Sequence, residues 1–122
     1  MTESNVEKAR RGYEAVMRGD LDAIGEILDP DVKWHGGNPS EGCQNRTQTL
    51  AFMRKNWTRR GAPPGELVEL IDAGDKVVVI MRRMSDGEEP ELVANLTTFR
   101  DGKVIEMIHY PNPDDARAAA GV

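Results

Sequence analysis

Apolar residues in the first third of the chain recur at helical spacing. Val6, Ala9, Tyr13, Val16 and Met17 form one stripe, opened by Ser4 and Glu7 at capping-box spacing and closed by Gly19. Asp20 caps a second stripe of Leu21, Ile24, Ile27 and Leu28, which Pro30 ends. A short extended stretch over 32–35 and a Gly-rich turn over 36–42 follow. A third helix starts near Asn45 or Thr47, with Leu50, Met53 and Trp57 on one side and Arg54, Lys55, Arg59 and Arg60 on the other. Gly61-Ala62-Pro63-Pro64-Gly65 breaks it. Each helix has one apolar face to bury.

From Glu66 the period shortens to that of strands, predicted over 66–72, 76–84, 91–100 and 103–110. Ala73-Gly74-Asp75 turns the first into the second, and an acidic connection joins the second to the third. Asp101-Gly102 is a two-residue hairpin signal, because a type I′ turn needs positive φ at both central positions. A Pro-containing link leads to an Ala-rich helix over 114–120, stopped by Gly121. Helices followed by strands predict one α+β domain over 1–122: a cone-shaped, curved antiparallel sheet under three N-terminal helices, with a short C-terminal helix. Where the helices do not fill the concave face, a pocket remains.

Composition narrows the classes of function. Sixteen Lys and Arg against 21 Asp and Glu leave a net charge of -5, and without a basic stripe no nucleic-acid partner is expected. No apolar run reaches the roughly 18–20 residues that span a bilayer, so no membrane partner is expected. The start lacks an apolar signal region, and Cys43 is the sole cysteine, which forbids an internal disulfide framework. A cytoplasmic protein is the expectation. No phosphate-cradling loop, Ser-His-Asp arrangement or haem motif is present, and no cofactor is expected. His35 and His109, with no His-Glu-x-x-His pattern, are weak grounds for a metal, and none is expected.

The stretch Tyr13 to Ile24, with its Gly19-Asp20-Leu21-Asp22, resembles the opening of nuclear transport factor 2-like proteins, above all the SnoaL-like branch. Asp29-Pro30-Asp31-Val32-Lys33-Trp34-His35-Gly36 is similar to that branch's first strand. The hairpin from Phe99 to Ile105 and the closing Tyr110-Pro111 to Gly121 resemble its last strand and tail. The resemblance spans nearly the whole chain in order. It implies a curved sheet around a pocket and a homodimer. It does not imply one chemistry, since this superfamily holds isomerases, cyclases, hydrolases, dehydratases and plain binders.

Ketosteroid isomerase, within that superfamily, supplies a comparison residue by residue. Tyr13 resembles its first-helix oxyanion donor, although a core aromatic with its hydroxyl at the rim fits the spacing equally. The slot of the isomerase's general base falls at Gly36, which carries no carboxylate, so that mechanism is disfavoured and His35 is the available substitute. Trp34 and His35 point to opposite faces unless a bulge intervenes, so His35 also fits the outer face. Asn95 falls near the second oxyanion donor, and its alternative is a structural hydrogen bond. On its strand it shares a face with Thr97 and Phe99. His109, grouped with Met107 and Ile105, is the acid–base candidate if the more apolar set faces inward; its alternative is a rim histidine. Arg46 could meet a substrate carboxylate or enolate, and Cys43 reads as a small buried thiol. The expected partner is a small apolar, carbonyl-bearing ligand, walled by Trp34, Met53, Trp57, Thr97, Phe99 and Met107. The alternatives are a binder without turnover and a dimeric interaction domain.

Overall fold

A computed structural model describes residues 4–38, 40–60, 66–83 and 91–122, except for the side chains of 56–60 and 83. Helix α1 (Asn5–Arg18) starts where the Ser4 hydroxyl accepts the Glu7 N–H at 3.1 Å, and α2 (Leu21–Ile27) where Asp20 accepts the Ala23 N–H at 3.1 Å. Leu28, expected on the second helical stripe, instead opens strand β1 (Leu28–His35). Pro30 lacks an N–H and biases Asp29 to extended backbone, so the helix stops earlier than its apolar spacing suggests. Helix α3 (Arg46–Arg60) begins at Asn45, whose side-chain oxygen accepts the Gln48 N–H at 2.9 Å.

Strands β2 (Glu66–Ala73), β3 (Lys76–Arg83), β4 (Glu91–Arg100) and β5 (Lys103–Tyr110) follow in antiparallel succession. Asp101 and Gly102 both have positive φ (53° and 80°), as a type I′ turn requires. The sheet order is β1-β5-β4-β3-β2, with β1 running parallel to β5 at one edge. That single parallel pair departs from the antiparallel expectation. Helix α2 delivers β1 at the end where β5 starts, and Lys103 Nζ there donates to the Glu26 carbonyl. An edge strand also tolerates Pro30, where the β1–β5 register shifts.

The sheet is covered on both faces. Ala9 and Ala15 of α1 and Ile24 of α2 pack with Val77, Val79, Phe99, Val104 and Met107 on the concave side. Helix α4 (Pro113–Ala120) lies on the other side, where Ala116 packs with Val78, Ile80, Ala94 and Leu96. The sequence order suggested helices on one face only. Four successive buried residues, Val77 to Ile80, leave β3 no face for water, so apolar cover is needed on both sides.

The turn after β1 is pinned back onto it. Trp34 and Cys43 exchange two backbone hydrogen bonds, Cys43 N to Trp34 O at 2.8 Å and Trp34 N to Cys43 O at 3.1 Å. Gly42 makes that approach possible. A Cβ there would stand 1.9 Å from the Trp34 carbonyl oxygen and 2.8 Å from His35 Cα. Gly42→Ala is therefore expected to cost about 1–3 kcal/mol, as other overpacking does. Gly36→Ala, with nothing within 4 Å of its would-be Cβ, should stay within about 0.5 kcal/mol of the parent. Urea unfolding of the two variants checks the contrast, and equal losses would refute it.

Candidate functional site

Under α1, α2 and α3 the concave face encloses a cavity of about 850 Å³. Its floor is laid out in cross-strand rows. Phe99, Val104 and Leu28 form one row across β4, β5 and β1. Val77, Thr97, Met107 and Trp34 form the next, and Val79, Asn95 and His109 the third. Asn95 and His109 are direct partners across β4 and β5, a relation that puts their Cβ atoms about 4.5–5.5 Å apart. Tyr13 adds a phenol from α1, and Met53 and Phe52 close the side of α3. The Phe52 ring meets Trp34 edge-on, with centroids 5.2 Å apart and planes at 85°.

The alternation that aims His109 inward survives a bulge. The β4–β5 register slips between Thr98 and Phe99, which leaves Ile105 as the extra residue. Ile105 therefore does not belong to the inward set with which it was grouped, whereas Met107 and His109 do. Burial agrees, since Met107 and Thr97 are both buried.

His35 is turned to other work. It is among the residues that line the cavity, but its register partner is Ile108, which packs on the α4 side of the sheet. The ring is only 3% exposed, with Nε2 3.0 Å from Glu106 Oε2. Nδ1 accepts the Gly37 N–H at 3.0 Å, so the proton belongs on Nε2, donated to Glu106. A ring held at both nitrogens on the far face is not free to serve as a base in the cavity, contrary to the expectation for His35. The cause is the strand alternation with Trp34. Nor can His35 and His109, on opposite faces, share an ion. Among the described residues no group of three His, Cys, Asp or Glu could hold a metal.

Two acidic groups in the wall are held neutral. Burial, with the Glu66 carboxylate adding to it, pushes the Tyr13 phenol up to about 12. It is therefore a hydrogen-bond donor at any physiological pH. Burial also pushes the Cys43 thiol up, more than a hydrogen bond with Thr49 pulls it down. A thiol held protonated is a wall group rather than a nucleophile. Asn95 is the unsatisfied member of the set, because its Oδ1 is buried with no hydrogen-bond partner among the described residues.

Of the remaining expected contacts, Trp34, Met53, Thr97, Phe99 and Met107 line the cavity. Arg46 opens α3 and is not among the described lining residues, while the Trp57 side chain lies outside the described residues. Sequence reasoning missed Glu106 as the partner of His35 and Gln48 as a wall residue, and neither left a local signal.

The chain matches the SnoaL-like domain over residues 9–107. No curated protein matches it. Among solved structures, an uncharacterized cystatin-fold protein from Novosphingobium aromaticivorans superposes with a TM-score of 0.76 at 18% identity, covering 88% of this chain and 98% of that one. A candidate polyketide cyclase from Sinorhizobium meliloti gives 0.70 at 19% identity, covering 84% and 92%. TerC co-crystallized with polyporic acid gives 0.69 at 21% identity, covering 97% and 98%. At such identities the likeness establishes the fold alone. No helix of the described residues is long and apolar enough to cross a membrane.

Two measurements probe this chemistry. With Tyr110 replaced by Phe, the remaining phenolate absorbance should rise with a midpoint of about 12. Glu66→Gln should lower that midpoint without returning it to 10.0, because burial is the larger cause. A raised native pKa means Tyr13's contribution to stability is complete below the unfolded value of 10.0 and is lost as pH rises through about 12. A midpoint at 10.0 would place the phenol in water. Separately, Asn95→Leu removes an acceptor whose isolation costs about 1–3 kcal/mol. The variant should unfold at higher temperature than the parent, and a lower melting point would show the amide to be structural.

Proposed function

The chain belongs to the SnoaL-like domain family, and from that premise we propose that its cavity binds a small apolar, carbonyl-bearing molecule and rearranges it by acid–base chemistry. The observation that carries this reading is the direct pairing of Asn95 with His109 in the wall of an apolar cavity that Tyr13 also lines. In it, the guest's carbonyl oxygen accepts hydrogen bonds from the Tyr13 phenol and the Asn95 amide. Those donors act where charge develops when a proton leaves the adjacent carbon. His109 takes that proton and returns it elsewhere on the same molecule or to a leaving group. An isomerase returns it to another carbon of the guest. A cyclase gives it to a second carbonyl oxygen as the enolate carbon closes a ring on that carbonyl, and a lyase gives it to the β-group whose bond to carbon breaks. A candidate polyketide cyclase among the structural neighbours is consistent with such chemistry.

A second reading gives the same cavity to a ligand without turnover. It is favoured by Gly36, which stands where a carboxylate base was expected, and by the commitment of the His35 ring to Glu106. These leave His109 as the one imidazole directed into the cavity. An interaction domain without a ligand would have its cone filled, whereas Trp34, Phe52, Met53 and Met107 border open space.

His109→Ala separates the first two readings. Under the enzymatic one, wild-type protein turns over at least one member of a panel of activated ketones and epoxides. The variant should then lose about a hundred- to ten-thousand-fold in kcat, as loss of a general acid–base does, with affinity nearly unchanged. Saturable binding with no turnover across the panel would instead establish the binder.

A further inference from the structure

Resting on the reading that this cavity holds a small molecule, we infer that the guest is an elongated amphiphile that enters apolar end first and leaves its polar head at the opening. The opening is marked by the lining residues that remain exposed, namely Gly36, Glu41, Gln48 and Phe52. Gly36 follows His35, which pairs with Ile108, so the opening lies at the end of the sheet that carries His109 and its partner Asn95. The opposite end is closed by Leu28, Phe99 and Val104, with relative exposures of 1%, 4% and 3% and no polar side-chain atom among them.

Inward from an apolar row of Val93 and Met81 at the rim, the polar groups of the floor thin out. Asn95 and His109 come first, then Thr97 beside Met107, then Phe99 beside Val104. From Asn95 to Phe99 is four residues, about 13 Å of strand at about 3.3 Å per residue. Among the described residues, a head that needs several hydrogen bonds finds most of them toward the open end, and none beside Phe99 and Val104. A charged group at the closed end would be stripped of water with no partner, which is costly. No Lys or Arg is among the described lining residues, so nothing there would compensate an anion. At the opening, a charge keeps much of its hydration.

Three probes of similar size decide the orientation by calorimetric titration of the wild-type protein: para-pentylphenol, para-pentylbenzoate with its charge at the ring end, and an omega-(para-hydroxyphenyl)pentanoate with its charge at the tail end. The phenol should bind. The benzoate should stay within about tenfold of it. The tail-charged acid, which in either orientation carries a polar group to the closed end, should be at least about tenfold weaker than both, the scale of burying an unpaired hydroxyl. Shortening the tail of the phenol should cost about fourfold in affinity for each methylene removed, the value of burying one such group. A reversed order of the two acids, or equal exclusion of both, would overturn the orientation. Failure of the neutral phenol to bind, with its shorter homologues also silent, would instead defeat the small-molecule reading on which it rests.

Discussion

The register between β4 and β5 is the constraint on which the site depends. Side chains alternate strictly between the two faces of a sheet, so a slip of one residue would exchange every inward group for an outward one. Here the slip is confined to the bulge at Ile105, upstream of Met107 and His109. Beyond it, Asn95 faces His109 and Thr97 faces Met107, all on the concave side. Without that bulge, Met107 would pair with Leu96 and His109 with Ala94, and both side chains would point at α4 and leave the cavity. A turn with two positive φ angles at Asp101 and Gly102 sets the starting point of that register. A local backbone requirement thus reaches the chemistry some seven residues away.

Polar groups inside an apolar cone cost stability, and the other face of the sheet offsets that cost. Burial of Val78, Ile80, Ala94 and Leu96 beneath Ala116 forms a second core on the other face. Close packing there can hold the strands in place while the concave face stays hollow. The division also explains why a chain with 39% hydrophobic residues can leave a cavity of about 850 Å³ open. The apolar residues of β3 serve both faces at once, Val77 and Val79 on one side and Val78 and Ile80 on the other.

Much of this was legible in the sequence, because the governing rules are local. Capping at Ser4 and Asp20, the Asp-Gly hairpin and the period change at Glu66 depend only on residues near one another in the chain. Alternation alone was enough to put Trp34 and His35 on opposite faces, and Asn95 with Thr97 on one. What could not be read is pairing between distant segments. Glu106 meets His35 across 71 positions, and only the parallel placement of β1 beside β5 brings them together. The cover that α4 gives to the convex face is of the same kind. Its signal, the unbroken run Val77 to Ile80, says that cover is needed but not which element supplies it.

The fate of the two histidines shows how the fold divides similar side chains between unlike roles. One imidazole, accepting from Gly37 and donating to Glu106, holds the start of the turn that Gly42 and the Trp34–Cys43 pairing bring back over the cavity. Both of its nitrogens are occupied by that task. The other stands in the wall opposite an amide, among a phenol and a thiol that burial keeps protonated. Proton exchange near neutral pH requires a group whose two forms are close in free energy, a condition that neither Tyr13 nor Cys43 meets. The proposed acid–base reading therefore gives the proton to His109, with Tyr13 and Asn95 facing the charge left behind. The same arrangement without a reactive guest is a binding site, so the identity of the guest decides between enzyme and receptor.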